Sequence, residues 1–267
     1  MTAARLVPPP GPADDRPVLV VAPYAGSGAA PFRDWGAELA GLATVTTVLL
    51  PGREQLFGQP ALTSMTEILR GLTPQVAALR PRPVVLFGHS LGALVAFGLA
   101  RELRRAGVPP AALIVSGAGS PCRRDPTDMV HLLGDDALLQ RTVDYDGMPP
   151  ELLASRELLA MFTPILRADF QVLETWTVEP LPPLDLPVTV LRGVSDTSVT
   201  DYQADGWRDH AATPPVERFL PGGHFFVHTA RAEVLRIVRD VLAAVPRRAD
   251  APPATPRQGE VSCTPSR

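Results

Sequence analysis

The sequence predicts an α/β protein built on a mostly parallel, doubly wound sheet, with a helical lid inserted late in the chain. Three observations carry this. Short β-branched runs alternate with amphipathic stretches of helical length, the order that a parallel sheet with crossover helices requires. The runs themselves, such as Val18-Leu19-Val20-Val21-Ala22 and Val84-Val85-Leu86-Phe87, are continuously apolar, as strands covered on both faces are. From residue 121 to about 183 the strand signal disappears, leaving helical pieces punctuated by prolines, which suggests a lid rather than another layer of core.

Taken in order, residues 1–15 are rich in proline and small residues and are expected to be disordered. One domain then spans 16–245. Arg16–Ala22 is the first strand, followed by the small-residue loop Pro23–Gly28 and a helix from about Pro31 to Leu42. Thr44–Leu50 is a strand closed by Pro51-Gly52. Met65–Leu79 reads as a helix that Pro74 must kink or split, because proline removes a helical N–H and crowds the preceding turn. The apolar run that starts at Val84 and ends in Gly-x-Ser-x-Gly is a strand leading into the helix Leu91–Arg105, which Gly107 ends, and Ala112–Ser116 is the next strand. The lid supplies helical pieces at Asp135–Tyr145, Pro150–Leu159 and Phe162–Trp176. Strands resume at Pro187–Gly193 and Val216–Leu220, a closing helix covers Ala230–Val245, and the tail 246–267 is expected to be disordered.

Bulk properties narrow the function. A length of 267 residues with 45% hydrophobic and 20% charged content suits one soluble domain with a real core. A formal charge of −3, without a basic cluster interleaved with aromatics, gives no case for nucleic acid. No apolar run approaches membrane-spanning length, and Pro8-Pro9-Pro10 interrupts any leader-like start. Cys122 and Cys263 lie far apart and form no metal or disulfide framework, so a reducing cytoplasm is the expectation, with a monomer as the default.

The chemistry centres on Gly88-His89-Ser90-Leu91-Gly92, a Gly-x-Ser-x-Gly pentapeptide at a strand-to-helix junction. That context is a nucleophile elbow, which holds the serine strained with its hydroxyl exposed at a helix N-terminus. A serine hydroxyl needs a base, and the base an orienting acid, in the chain order Ser, Asp or Glu, His. Of five histidines, His224 follows a strand and a glycine turn, where the base belongs. His89 sits inside the elbow and points away, His131 is in the lid, His210 closes a helical segment, and His228 is expected to pack. Asp196 lies just past the carboxyl end of the strand that stops at Gly193, the end of a parallel sheet where active sites form. Asp185 is at the wrong end of that strand, and Asp201, Asp205 and Asp209 read as a solvated helix face. The developing oxyanion needs two N–H donors: that of Leu91 and one from the loop Tyr24–Gly28. Gly26-x-Gly28 does not complete a dinucleotide-binding fingerprint.

Four segments together carry a more specific signal: Gly-His-Ser-Leu-Gly-Ala at 88–93, Leu-Pro-Gly-Arg-Glu at 50–54, Arg-Ala-Asp-Phe at 167–170 and Pro-Gly-Gly-His-Phe-Phe at 221–226. From about Pro17 to Val245 the chain resembles the type II thioesterases, the free-standing editing enzymes of polyketide and nonribosomal peptide assembly lines. The resemblance implies an α/β-hydrolase fold, with Ser90 as nucleophile, His224 as base, Asp196 as acid, and the Ala25 and Leu91 N–H groups as oxyanion hole. It implies hydrolysis of acyl groups from the phosphopantetheine arm of acyl or peptidyl carrier proteins, with no cofactor of the enzyme's own. Tyr24 departs from the histidine usual before Ala-Gly in the family, and Gln55 from a common basic residue. Met129, Leu132, Leu133, Met148, Met161, Phe162 and Phe170 are expected to line an acyl chamber or to form the lid's own core. Arg53, Arg123 and Arg124 are read as surface arginines, either solubilising or placed to meet an acidic carrier. Rival readings of the same residues are a general carboxylesterase, an acyltransferase, or a docking protein with an idle triad.

Overall fold

A computed structural model describes residues 3–8, 14–125, 127, 129–145, 155–179 and 182–246. Its strands are β1 (Arg5–Val7), β2 (Val18–Ala22), β3 (Thr44–Leu49), β4 (Val84–His89), β5 (Ala112–Ser116), β6 (Val188–Gly193) and β7 (Val216–Leu220). They form a seven-stranded sheet in the order β1-β3-β2-β4-β5-β6-β7, in which only the β1–β3 pairing is antiparallel.

The helices are α1 (Trp35–Glu38), α2 (Met65–Ala77), α3 (Leu91–Arg105), α4 (Asp135–Asp144), α5 (Arg156–Thr175), α6 (Asp201–Asp205), α7 (Phe226–Thr229) and α8 (Arg231–Ala244). Successive strand residues point to opposite faces, so each continuous apolar run feeds two cores. Val18, Val20, Val84 and Leu86 pack with Ile68, Leu72, Leu94 and Phe97 of α2 and α3 on one face. Leu19, Val21, Val85 and Phe87 pack with Trp35, Val234 and Val238 of α1 and α8 on the other. In register, His89 lies beside Ser116 and Gly193 beside Leu220, so the carboxyl ends of β4 to β7 form one rim.

Several elements differ from expectation. Arg5–Val7, placed in a disordered terminus by composition, is an edge strand, latched by Gln75, whose side chain accepts from Leu6 N–H at 3.2 Å and donates to Ala4 C=O at 2.8 Å. The helix expected over Pro31–Leu42 is a 3-10 turn at Ala30–Phe32 and the single turn α1, since Gly36 weakens the helix and Gly41 turns the chain at φ +86°. Of the two outcomes expected at Pro74, the split does not occur: α2 runs through it to Ala77. In the lid, α5 is one 20-residue helix running through Pro164, where two pieces were expected. The start of the expected piece at 150, Met148 and the tail from 247 lie outside the described residues. Among the described residues, no helix is long and apolar enough to cross a membrane.

Candidate active site

Ser90 stands between β4 and α3 at φ +54°, ψ −120°, a conformation side chains rarely adopt, and is held there from both sides. Its N–H donates to Ser116 C=O at 2.8 Å, and its C=O accepts the Ala93 N–H at 2.9 Å. Both flanking glycines are required by crowding. A Cβ on Gly88 would collide with the Gly92 carbonyl, and one on Gly92 with the Ala22 carbonyl of β2.

The rim brings the sequence-predicted residues together. His224 Nε2 lies 3.1 Å from Ser90 Oγ, and His224 Nδ1 lies 3.0 Å from Asp196 Oδ2. Asp196 is placed by the turn after β6, where its N–H meets Gly193 C=O at 3.2 Å and the Ser195 N–H meets Gly222 C=O at 3.0 Å. Burial by itself would raise the Asp196 carboxyl, but hydrogen bonds and charge from His224, with two bonds from Ser198, hold it below its ordinary range. Ser198 was not singled out by the sequence. Its hydroxyl donates to Asp196 Oδ1 at 2.6 Å and sits 2.8 Å from His224 Nδ1.

The remaining histidines do other work. His89 is fully buried, bonded through Nδ1 to Ser116 Oγ at 2.9 Å, and burial, then the neighbouring His224 and His228, push it well below 6.5. His131 pairs with Glu174 inside the lid, and His210 Nε2 lies 2.9 Å from Ser120 Oγ. His228 stacks on Phe225 and lies 3.0 Å from the Tyr24 hydroxyl, so the unexpected tyrosine of the first loop is partnered rather than idle. Asp201 and Asp209 form surface ion pairs with Arg192 and Arg123, while Asp185 and Asp205 are exposed.

The first loop is a tight turn. Ser27 N–H donates to Tyr24 C=O at 3.0 Å and Gly26 takes φ +76°, the left-handed position that a type II turn reserves for glycine. Ala25 of this turn, Ser90 and His224 all line a cavity of about 160 Å³ roofed by Val130, Leu166, Phe170 and Leu173. Of the lid residues proposed for an acyl chamber, Phe170 is in its wall. Leu132, Leu133 and Met161 are exposed, and Phe162 packs against the lid's small core of Val130, Leu138, Leu166 and Phe170. The reading of three surface arginines is also corrected. Arg53 is only 5% exposed, donating to both carboxylate oxygens of Asp169 at 2.7 and 2.8 Å, and Arg124 lines the cavity and donates to Trp176 C=O. Arg123, also half-buried, lies over the Tyr202 ring and pairs with Asp209.

A serine on a strand–turn–helix elbow, backed by a histidine and an aspartate at the carboxyl rim of a parallel sheet, defines a hydrolase of the α/β-hydrolase fold. The Thioesterase domain model matches residues 17–242, most of the chain, and the protein belongs to that family. Among curated proteins it is 34% identical over 223 residues to the protein named linear gramicidin dehydrogenase LgrE of Brevibacillus parabrevis, covering 82% of this chain and 85% of that one. It is 35% identical to thioesterase PikA5 of Streptomyces venezuelae, covering 84% and 80%. The solved type II thioesterase BorB from the borrelidin biosynthetic cluster matches with a TM-score of 0.80 at 34% identity, covering 90% of this chain and 97% of that one.

Proposed function

We propose that this thioesterase releases acyl groups from the phosphopantetheine arm of acyl or peptidyl carrier proteins, in the editing role of the type II enzymes it resembles. The observation that carries the reading is the line from Asp196 through His224 to Ser90, opening into a lid-covered cavity of about 160 Å³. Ser90 Oγ attacks the thioester carbonyl while His224 Nε2 takes its proton. The oxyanion forms against the N–H groups of Ala25 and Leu91. The carbon–sulfur bond then breaks, and the carrier thiolate leaves with the proton from His224, leaving an acyl-Ser90 ester. A water molecule, deprotonated by His224, attacks that ester, and the proton returns to Ser90 as the acid departs. Asp196 holds the imidazole and its charge throughout without taking the proton. Every protein group in this scheme is a side chain or backbone N–H of the chain, and besides substrate and water the scheme calls on nothing else. The enzyme works as a monomer in the cytoplasm, where carrier-bound intermediates are made.

The test presents one short acyl group as the acyl-carrier protein, the small-molecule thioester and the matching oxygen ester, with Ser90→Ala as blank. Strong Ser90-dependent preference for the carrier is expected, with Ser90→Ala lowering turnover on the order of 10⁴- to 10⁶-fold. Equal or better turnover of the oxygen ester would make the protein a general esterase instead.

A further inference from the structure

The buried pair Arg53–Asp169 joins two places that are 116 residues apart in sequence, and neither side chain touches Ser90, His224 or Asp196 in the hydrogen-bond network. Asp169 lies on the lid helix α5 and is 1% exposed; Arg53 follows β3. Their bonds converge on the first loop. Asp169 Oδ2 accepts the Gly26 N–H at 2.7 Å, and Arg53 Nη1 donates to the Ser27 C=O at 3.1 Å. The lid also grips this loop by shape, since a Cβ on Gly26 would run into the Phe162 ring of α5.

We infer that Asp169 and Arg53 are positioning residues that fix the Ala25 N–H for the oxyanion, and that the lid helix thereby sets the geometry of the chemical step; this rests on the Ser90 reading above. The Gly26 N–H belongs to the peptide plane just after Ala25, and the Tyr24 C=O that closes the turn belongs to the plane carrying the Ala25 N–H itself. With one plane tied to Asp169 and the other to the Ser27 N–H, the Ala25 donor has no freedom left to tilt. A buried ion pair adds little to stability over an apolar pair of similar volume, so its use here is orientation. The bond from Asp169 is charge-assisted, hence short and directional.

The test replaces both partners with apolar residues of comparable size, Arg53→Met with Asp169→Leu, which leaves no unpaired buried charge but removes the acceptor for Gly26. Asp169→Asn, which keeps the size, is the second variant. Turnover of an acyl-pantetheine thioester is measured per active site, titrated to completion with a fluorophosphonate, so that any unfolded fraction is not counted. Affinity for a trifluoromethyl ketone, which forms a tetrahedral adduct on Ser90, is measured alongside. The double variant is expected to lose kcat on the order of 10²-fold with KM changed less than about threefold, and to lose ketone affinity by the same factor. Asp169→Asn is expected to show a smaller loss of the same kind. Wild-type kcat and ketone affinity per site, in whichever variant folds, would reduce the pair to a structural contact and overturn the inference. Retained turnover in Ser90→Ala would instead reject the site reading on which it rests.

Discussion

Ser198 touches both His224 and Asp196. Its hydroxyl donates to Asp196 Oδ1, which leaves its lone pairs facing the Nδ1–H of His224. That network assigns the proton to Nδ1 and leaves the Nε2 lone pair toward Ser90, the tautomer that general-base catalysis needs. The Ser198 N–H also donates to Asp196 Oδ1 at 2.9 Å, so the carboxylate keeps one partner if the hydroxyl is lost. Ser198→Ala is therefore expected to lower kcat about 3- to 10-fold, the worth of one hydrogen bond near 1 kcal/mol, with KM nearly unchanged. Steady-state kinetics on a soluble thioester checks it; a loss as deep as that of His224→Ala would make Ser198 a full member of the catalytic set. Sequence reasoning singled out Ser90, Asp196 and His224, which the structure brings within hydrogen-bond reach of one another, because each sits at a strand end with a turn signal. Ser198 lies in the same turn as Asp196, yet a lone serine in a polar loop carries no pattern to separate it from its neighbours.

At the scale of elements, the elbow illustrates how packing converts two glycines into a requirement. Helix α3 approaches β4 and β2 so closely that carbonyls occupy the space of both missing Cβ atoms. Gly88→Ala must push the helix off the sheet, and a loss of about 3 kcal/mol or more in urea unfolding is expected. A Cβ at Gly36 in α1 would meet nothing within 4 Å, so Gly36→Ala is expected to stabilise by about 0.5 kcal/mol through helix propensity and chain entropy. Similar costs at the two positions would show that the elbow tolerates expansion. The same contrast explains what was legible. Buried parallel strands announce themselves by unbroken apolar runs, and β2, β4 and β5 follow such runs to within a residue or two, whereas β3, β6 and β7 carry polar residues and the Val-Glu-Arg-Phe-Leu of β7 is mostly exposed. β1 is three residues long and depends on Gln75 far along the chain, a tertiary tether with no local signature. The lid's helical character was readable from periodicity, though not that Arg156–Thr175 is one helix, and which apolar residues face the cavity depends on how the lid docks. Hence Leu166 and Leu173 line it while Leu132 and Met161 do not.

For the whole molecule, the placement of titratable groups sets a response to acid. His89 is fully buried between the elbow and the aromatic cluster of Tyr24, Phe225 and Phe226, and burial holds its pKa well below 6.5. Below that ordinary value the unfolded chain binds a proton that the native ring refuses, so the stability this group confers is complete above about pH 6.5 and falls as pH drops. The slope is about 1.4 kcal/mol per pH unit for one such proton. His210, lowered by burial and then Arg101, and His228, lowered by burial and then Arg231, act in the same direction. Asp196 works in a separate window. Its folded pKa lies below the ordinary carboxylate value, so its contribution is intact above about pH 4 and is lost only as pH falls further. Acid destabilisation is thus expected to begin with histidines, about two pH units before the Asp196 carboxylate is affected. Urea unfolding from about pH 8 to pH 5 tests this on the wild type and on His89→Phe with Ser116→Ala, which removes the ring together with its hydrogen-bond partner. The double variant is expected to lose about one proton's worth of slope below about pH 6.5, whatever its stability at the alkaline end. Parallel curves would mean that the native His89 takes up its proton as readily as the unfolded chain, and that the core beneath the elbow is open to charge.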